Sequence, residues 1–247
     1  MRARRSLALQ KAVARLLSPI TLFAVYLTMR FGLDLRLVDA EEARRVYRRL
    51  TRERAPLLIC ANHLTMIDSA LIAWALGSPG WYLANFRTLP WNVPEERNFA
   101  STALRRALAY VYKCVPVRRG GDRAGVVETL ARFTHLLAHG ETGLLFPEGG
   151  RSRSGRVEIE RAAYGVGRIV KALPGCRVLC LYVRGERQEA YSDLPVRGDR
   201  LHVSFATLEP KSDQKGLRGS RDIARQITAK LIELETQHFA GAVGVAS

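Results

Sequence analysis

Cysteine is scarce in this chain of 247 residues: Cys60, Cys114, Cys176 and Cys180, all in apolar stretches and none in a CxxC pair. That spacing excludes a disulfide framework and a zinc site, and leaves buried thiols in a reducing compartment as the expectation. Lysine is nearly as rare. Six of the 39 basic side chains are Lys, and the other 33 are Arg. Internal repeats and low-complexity tracts are absent, and a composition 47% hydrophobic and 25% charged excludes a disordered or collagen-like chain. The first fifteen residues carry no acid. The uncharged run that follows them, Leu16–Met29, has only fourteen residues, short of the ~20 that a helix needs to cross a bilayer.

Basic charge is abundant: the net charge is +16. Arg forks pair bidentately with phosphates and carboxylates, so an Arg-rich surface points to phosphate-bearing or acidic partners. RNP-like aromatic patterns and zinc or helix-turn-helix signatures are missing, which turns the reading away from nucleic acid. Arg2, Arg4, Arg5, Lys11 and Arg15 flank the apolar run. A basic flank before a short apolar helix fits a segment lying in the interface of an anionic membrane, on its cytoplasmic side. A single span and an ordinary buried helix remain the alternatives. The length suits one α/β domain with a small appendage, drawn here as a membrane-associating segment over 1–40 and the domain over 41–247.

Apolar strands and helices alternate after a polar helix or linker over 40–54. Strands are expected at Pro56–Ala61, Trp81–Phe86, Val111–Val117, Gly143–Phe146, Arg177–Val183 and Leu201–Ala206. Helices are expected at Ser69–Leu76, Val126–Ala138 with Gly140 just past its end, and Arg161–Leu173. A last helix is capped by Ser220. The alternation predicts an α/β fold with a mixed, largely parallel sheet flanked by helices.

Three strand ends carry chemistry. Asn62-His63-Leu64-Thr65-Met66-Ile67-Asp68 follows the first strand. On a straight helix five residues turn the side chains about 140° apart, so His63 and Asp68 meet only if His63 lies in a turn and Asp68 starts a helix. Met, they form the base and orienter of a triad with no protein nucleophile, and the missing hydroxyl would be the substrate's own. Neither Thr65 nor Ser69 sits in a G-x-S-x-G elbow, which disfavours a covalent acyl-enzyme. Cys114-Val115-Pro116-Val117-Arg118-Arg119-Gly120-Gly121 and Phe146-Pro147-Glu148-Gly149-Gly150-Arg151-Ser152 each follow a strand with glycines and Arg. Glycines admit close backbone approach, and Arg supplies planar donors to a phosphate.

N-H-x4-D, V-x-R-R-G-G and F-P-E-G-x-R-S in this order resemble the lysophospholipid acyltransferase family, the bacterial 1-acylglycerol-3-phosphate O-acyltransferases and their kin. The resemblance spans roughly Leu57 to Leu208. It implies a membrane-associated α/β domain that transfers an acyl group from acyl-CoA or acyl carrier protein to a lysophospholipid hydroxyl, without metal or redox cofactor. It also implies His63 as general base and Asp68 as its partner. Arg118, Arg119, Glu148, Gly149, Gly150 and Arg151 would hold the acceptor. Gly150 stands where the family has Thr. Val178–Val183 lacks the Pro of the fourth motif, and Trp81–Pro94 is long and aromatic where the family often has a Lys-bearing hairpin. The alternatives are the same chemistry on a lyso-aminolipid or a specialised lipid or polyketide product, and a thioesterase acting on water.

Overall fold

The structure, a computed structural model, describes residues 2–53, 55–96, 102–118 and 123–243. Among these the sheet has six strands: β1 (Arg36–Val38), β2 (Leu57–Ala61), β3 (Trp91–Asn92), β4 (Thr142–Leu145), β5 (Arg177–Gly185) and β6 (Arg200–Leu208). Their order is β1-β6-β5-β2-β4-β3. β6 runs antiparallel to β5, and the other four pairings are parallel. The sheet is mixed and largely parallel, as the alternation predicts. β1 comes from residues assigned above to the N-terminal segment.

Strand residues alternate between two cores, the period of two expected of a pleated strand covered on both faces. Leu58 and Cys60 of β2, with Val178, Cys180 and Tyr182 of β5, pack under α6 (Arg123–Ala138), α7 (Tyr164–Lys171) and α8 (Gly216–Val243). Ile59 of β2, with Leu179 and Leu181 of β5, packs under α2 (Ala40–Arg52), α3 (Asp68–Leu76) and α4 (Pro79–Ala84). α7 and α8 cross closely at Gly167, where a Cβ would stand 1.8 Å from the Ser220 carbonyl oxygen.

α1 (Arg2–Leu27) runs on through one π-turn, Thr28–Gly32. Pro19 lies inside it and has no N–H for the Arg15 carbonyl. Ser18 Oγ donates to that oxygen instead, at 2.7 Å, and the helix continues. The stretch Ser6–Gly32 is therefore longer than the uncharged run alone, and by length and composition it is long and apolar enough to cross a membrane. Its inner side packs on α4 and α5 (Ala103–Val111).

Several expected elements differ. Trp81–Phe86 belongs mostly to helix α4, because Ser78 caps it by accepting from Trp81 N and Pro79 supplies the first helical residue. Val111–Val117 is the end of α5 followed by two isolated bridges, Cys114 to Asn92 and Val117 to Glu95. Arg161–Leu173 divides into a 3-10 turn, Ile159–Arg161, and α7. Ser220 lies inside α8 rather than capping it.

Candidate active site

β2 and β4 are parallel neighbours, so the turns after them emerge side by side at the carboxyl edge of the sheet, where α/β folds hold ligands. His63 stands in the turn after β2, and Asp68 is the first residue of α3. This is the one arrangement in which the pair meets. His63 Nδ1 lies 2.9 Å from Asp68 Oδ2. A carboxylate only accepts, so Nδ1 carries the proton and Nε2 is the ring's acceptor. Asp68 also accepts from the backbone N–H of Leu64 at 2.6 Å, that of Thr65 at 2.8 Å, and the Thr65 hydroxyl. The Phe146 ring stacks on the imidazole at 3.9 Å and 13°. Asn62 clamps the end of β2 to β5, donating to Val183 O at 3.0 Å and accepting from Val183 N at 2.9 Å.

The turn after β4 is tied to the His63 turn by Ser152 N donating to His63 O at 2.8 Å. Gly149 has φ +70°, a left-handed conformation open to glycine at little cost. A third segment, the loop between β5 and β6, closes the group: Ser192 N donates to Leu64 O, and Met66 N to Asp193 O. Arg151 reaches the same loop, donating to Ser192 O at 2.9 Å and pairing with Asp193 at 2.8 Å. Asp193 is largely exposed, so this pair contributes ~1 kcal/mol or less, and a phosphate could displace it at small cost.

A cavity of about 830 Å³ opens against these turns. His63, Gly149, Gly150 and Arg151 all line it. Glu148 does not. It is buried behind the turn, its carboxylate oxygens without hydrogen-bond partners. Burial pushes its carboxyl up to about 7, against the Arg161 charge, which pulls it down. Arg118 also stands apart from the lining. It is exposed and forks onto Glu96 at 3.0 and 3.3 Å. Arg119 lies outside the described residues.

The sequence reading missed several parts of this site. Thr65 and Asn62 were visible in the motif, but only their hydrogen bonds give them a place. Arg105 of α5 lines the cavity, on a helix that went unrecognised. Most unexpected is α1, whose Ala14, Ser18, Thr21, Leu22, Val25 and Tyr26 form one wall, over about 18 Å at 1.5 Å per residue. The sequence alone makes this helix a separate membrane segment.

Among models of protein families, one described as Acyltransferase matches residues 39–184, more than half of the chain. No curated protein matches it. The matched stretch runs from the residue before α2 to the last but one of β5. It takes in the turns after β2 and β4 together, and the chain belongs to the Acyltransferase family.

Proposed function

We propose that the chain transfers a fatty acyl group from an acyl thioester, acyl-CoA or acyl carrier protein, to a hydroxyl of a lysophospholipid such as 1-acylglycerol-3-phosphate. We place it on the cytoplasmic face of the membrane that holds this acceptor. The observation that carries the reading is the His63–Asp68 bond of 2.9 Å on the wall of a large, mostly apolar cavity with Arg151 on the same wall.

His63 Nε2 takes the proton of the acceptor hydroxyl as its oxygen attacks the thioester carbonyl, and Asp68 stabilises the imidazolium. The tetrahedral intermediate collapses by breaking the C–S bond. The thiolate leaves and takes the proton back from His63, giving an ester and a free thiol. Arg151 holds the acceptor phosphate by exchanging Asp193 for it, which brings the hydroxyl to the carbonyl. Gly149 and Gly150 let the backbone approach that phosphate or the oxyanion. Glu148, behind the turn, shapes it without touching the acceptor. The acyl chain lies along α1.

The test is purified full-length protein in lipid, given labelled acyl-CoA or acyl carrier protein and a panel of lysolipids. An acylated lysolipid formed by the wild type, and lost in His63→Ala with the fold retained, supports the reading. Free fatty acid without acylated product would make the chain a hydrolase. A product from lyso-aminolipids alone would move the acceptor to the alternative class.

A further inference from the structure

α1 is uncharged from Leu16 to Met29, so hydrophobicity alone does not choose which face turns inward. The helix nevertheless adopts one register. Ala14 (1% exposed) and Ser18 (3%) face the cavity, whereas Leu16 (78%) and Ile20 (72%) face outward. A shift of one residue turns a helix by about 100°. It would put Val13 and Leu17, or in the other direction Arg15 and Pro19, where Ala14 and Ser18 stand, and narrow the cavity at that level.

Two adjacent polar side chains, one turn before the cavity, fix the rotation. Gln10 is buried, and its Nε2 donates to the carbonyls of Tyr110 at 3.1 Å and Cys114 at 2.9 Å. The first is a carbonyl in the last turn of α5, which has no acceptor duty inside its helix. Lys11 Nζ pairs with Oε1 of Glu141. The other oxygen of Glu141 is already engaged within the domain, accepting from Trp91 Nε1 at 2.9 Å and Lys113 Nζ at 3.0 Å. Lys113 is fully buried and also donates to Leu89 O at 2.6 Å and Phe86 O at 3.2 Å. Arg87 approaches Oε1 at 3.6 Å from the exposed side. The domain thus presents a fixed carboxylate and a pair of carbonyls, and only one rotation of α1 meets both. Buried polar groups are directional and costly to leave unpaired, and setting registry is their best-attested use.

We propose that Gln10 and Lys11 are a register key for α1: they are positioning residues that turn Ala14 and Ser18 to the cavity and so set the width offered to the acyl chain at that level. The kinetic consequence rests on the acyl-transfer reading above; the geometric one does not.

The experiment uses the full chain in mild detergent, with Gln10→Leu, Lys11→Met and the double variant. Two readouts are taken. In the first, Ser18→Cys is labelled with an alkyl maleimide that partitions into micelles, the label on the native cysteines being subtracted. Ser18→Cys should be protected with the key intact and react about tenfold faster without it. In the second, thioesters of increasing chain length are compared. The double variant should raise the KM of long-chain thioesters about tenfold while kcat for the shortest stays within about threefold. Lys11→Arg, which keeps the pair with Glu141, should restore the wild-type profile. Unchanged labelling would overturn the key, as would an equal loss on every chain length. If no thioester is turned over even by the wild type, the acyl-transfer reading fails, and the labelling alone still decides the register.

Discussion

Asp68 accepts from four donors, and only one of them is the His63 ring. An Asn in its place can keep its oxygen on the His63, Leu64 and Thr65 N–H groups and turn its amide toward the Thr65 hydroxyl, which then accepts. The turn survives and the negative charge is lost. Asp68→Asn should therefore melt within a few degrees of the wild type while kcat falls by ~10²–10⁴, measured by calorimetry and thioester turnover. Thr65→Val removes a donor from the same carboxylate without removing its charge. It should destabilise by ~1–3 kcal/mol and lower kcat far less. Glu148 gives a pH signature. Burial raises its folded-state value to about 7, so between about 4.5 and 7 the folded protein binds more protons than the unfolded chain. Stability then falls as pH rises through that window, by roughly 3 kcal/mol. Glu148→Gln should remove this slope: in urea unfolding the variant gains on the wild type at pH 8 and not at pH 4.5.

The elements that position the site were legible where burial imposes a period. β2 and β5 hold apolar runs because both faces are covered, α3 is apolar almost all round, and α6 carries apolar side chains at helical spacing. β1 and β3, three and two residues long, are too short for any period to show. α4 was hidden by its aromatics, which suggest a strand, although Ser78-Pro79 is a helix start. α5 had a start signal too, Thr102 accepting from Arg105 N at 3.2 Å. The condition for His63 and Asp68 to meet was readable from spacing, whereas the face presented by α1 was not, because its register depends on partners about a hundred residues away. α8 shows the same limit from the other end of the chain. Beyond the family match, its Glu235 accepts from Val157 N at 3.2 and 3.3 Å and from the Tyr182 hydroxyl at 3.2 Å. Phe239 lies 3.7 Å under the Arg156 guanidinium. Both hold the segment that leads on from Arg151. Glu235→Ala should thus raise the KM for the acceptor about tenfold and leave that for the thioester nearly unchanged, in kinetics with each substrate varied in turn.

At the scale of the molecule, α1 has two faces with two different duties. Its inner face walls the cavity beside His63. Its outer face exposes Leu9, Leu16, Ile20, Phe23 and Leu27, and Leu104 and Leu108 of α5 are exposed as well. A helix of 27 residues is about 40 Å long and matches a bilayer in length, but crossing one would strip the cavity of its wall and bury Gln10 and Lys11 away from their partners. Were it to lie in the interface, the same helix would keep its inner contacts and give its outer stripe to lipid. Tags at the two ends of the chain should accordingly be digested from the same side of sealed vesicles; digestion from opposite sides would establish a span. High salt should weaken binding to anionic vesicles without abolishing it, since near-surface cations contribute ~1 kcal/mol each and are screened, whereas the apolar stripe is not. The sequence alone predicts that a chain lacking residues 1–30 keeps its activity on a soluble acceptor, because the segment reads as an anchor. The wall at Ala14–Tyr26 reverses that expectation. Without α1 the cavity opens to water and the acyl chain loses one side of its site, so activity on a soluble acceptor should fall ~100-fold or more along with membrane binding. Full turnover of a water-soluble lysolipid analogue by the shortened chain would return α1 to the role of a simple anchor.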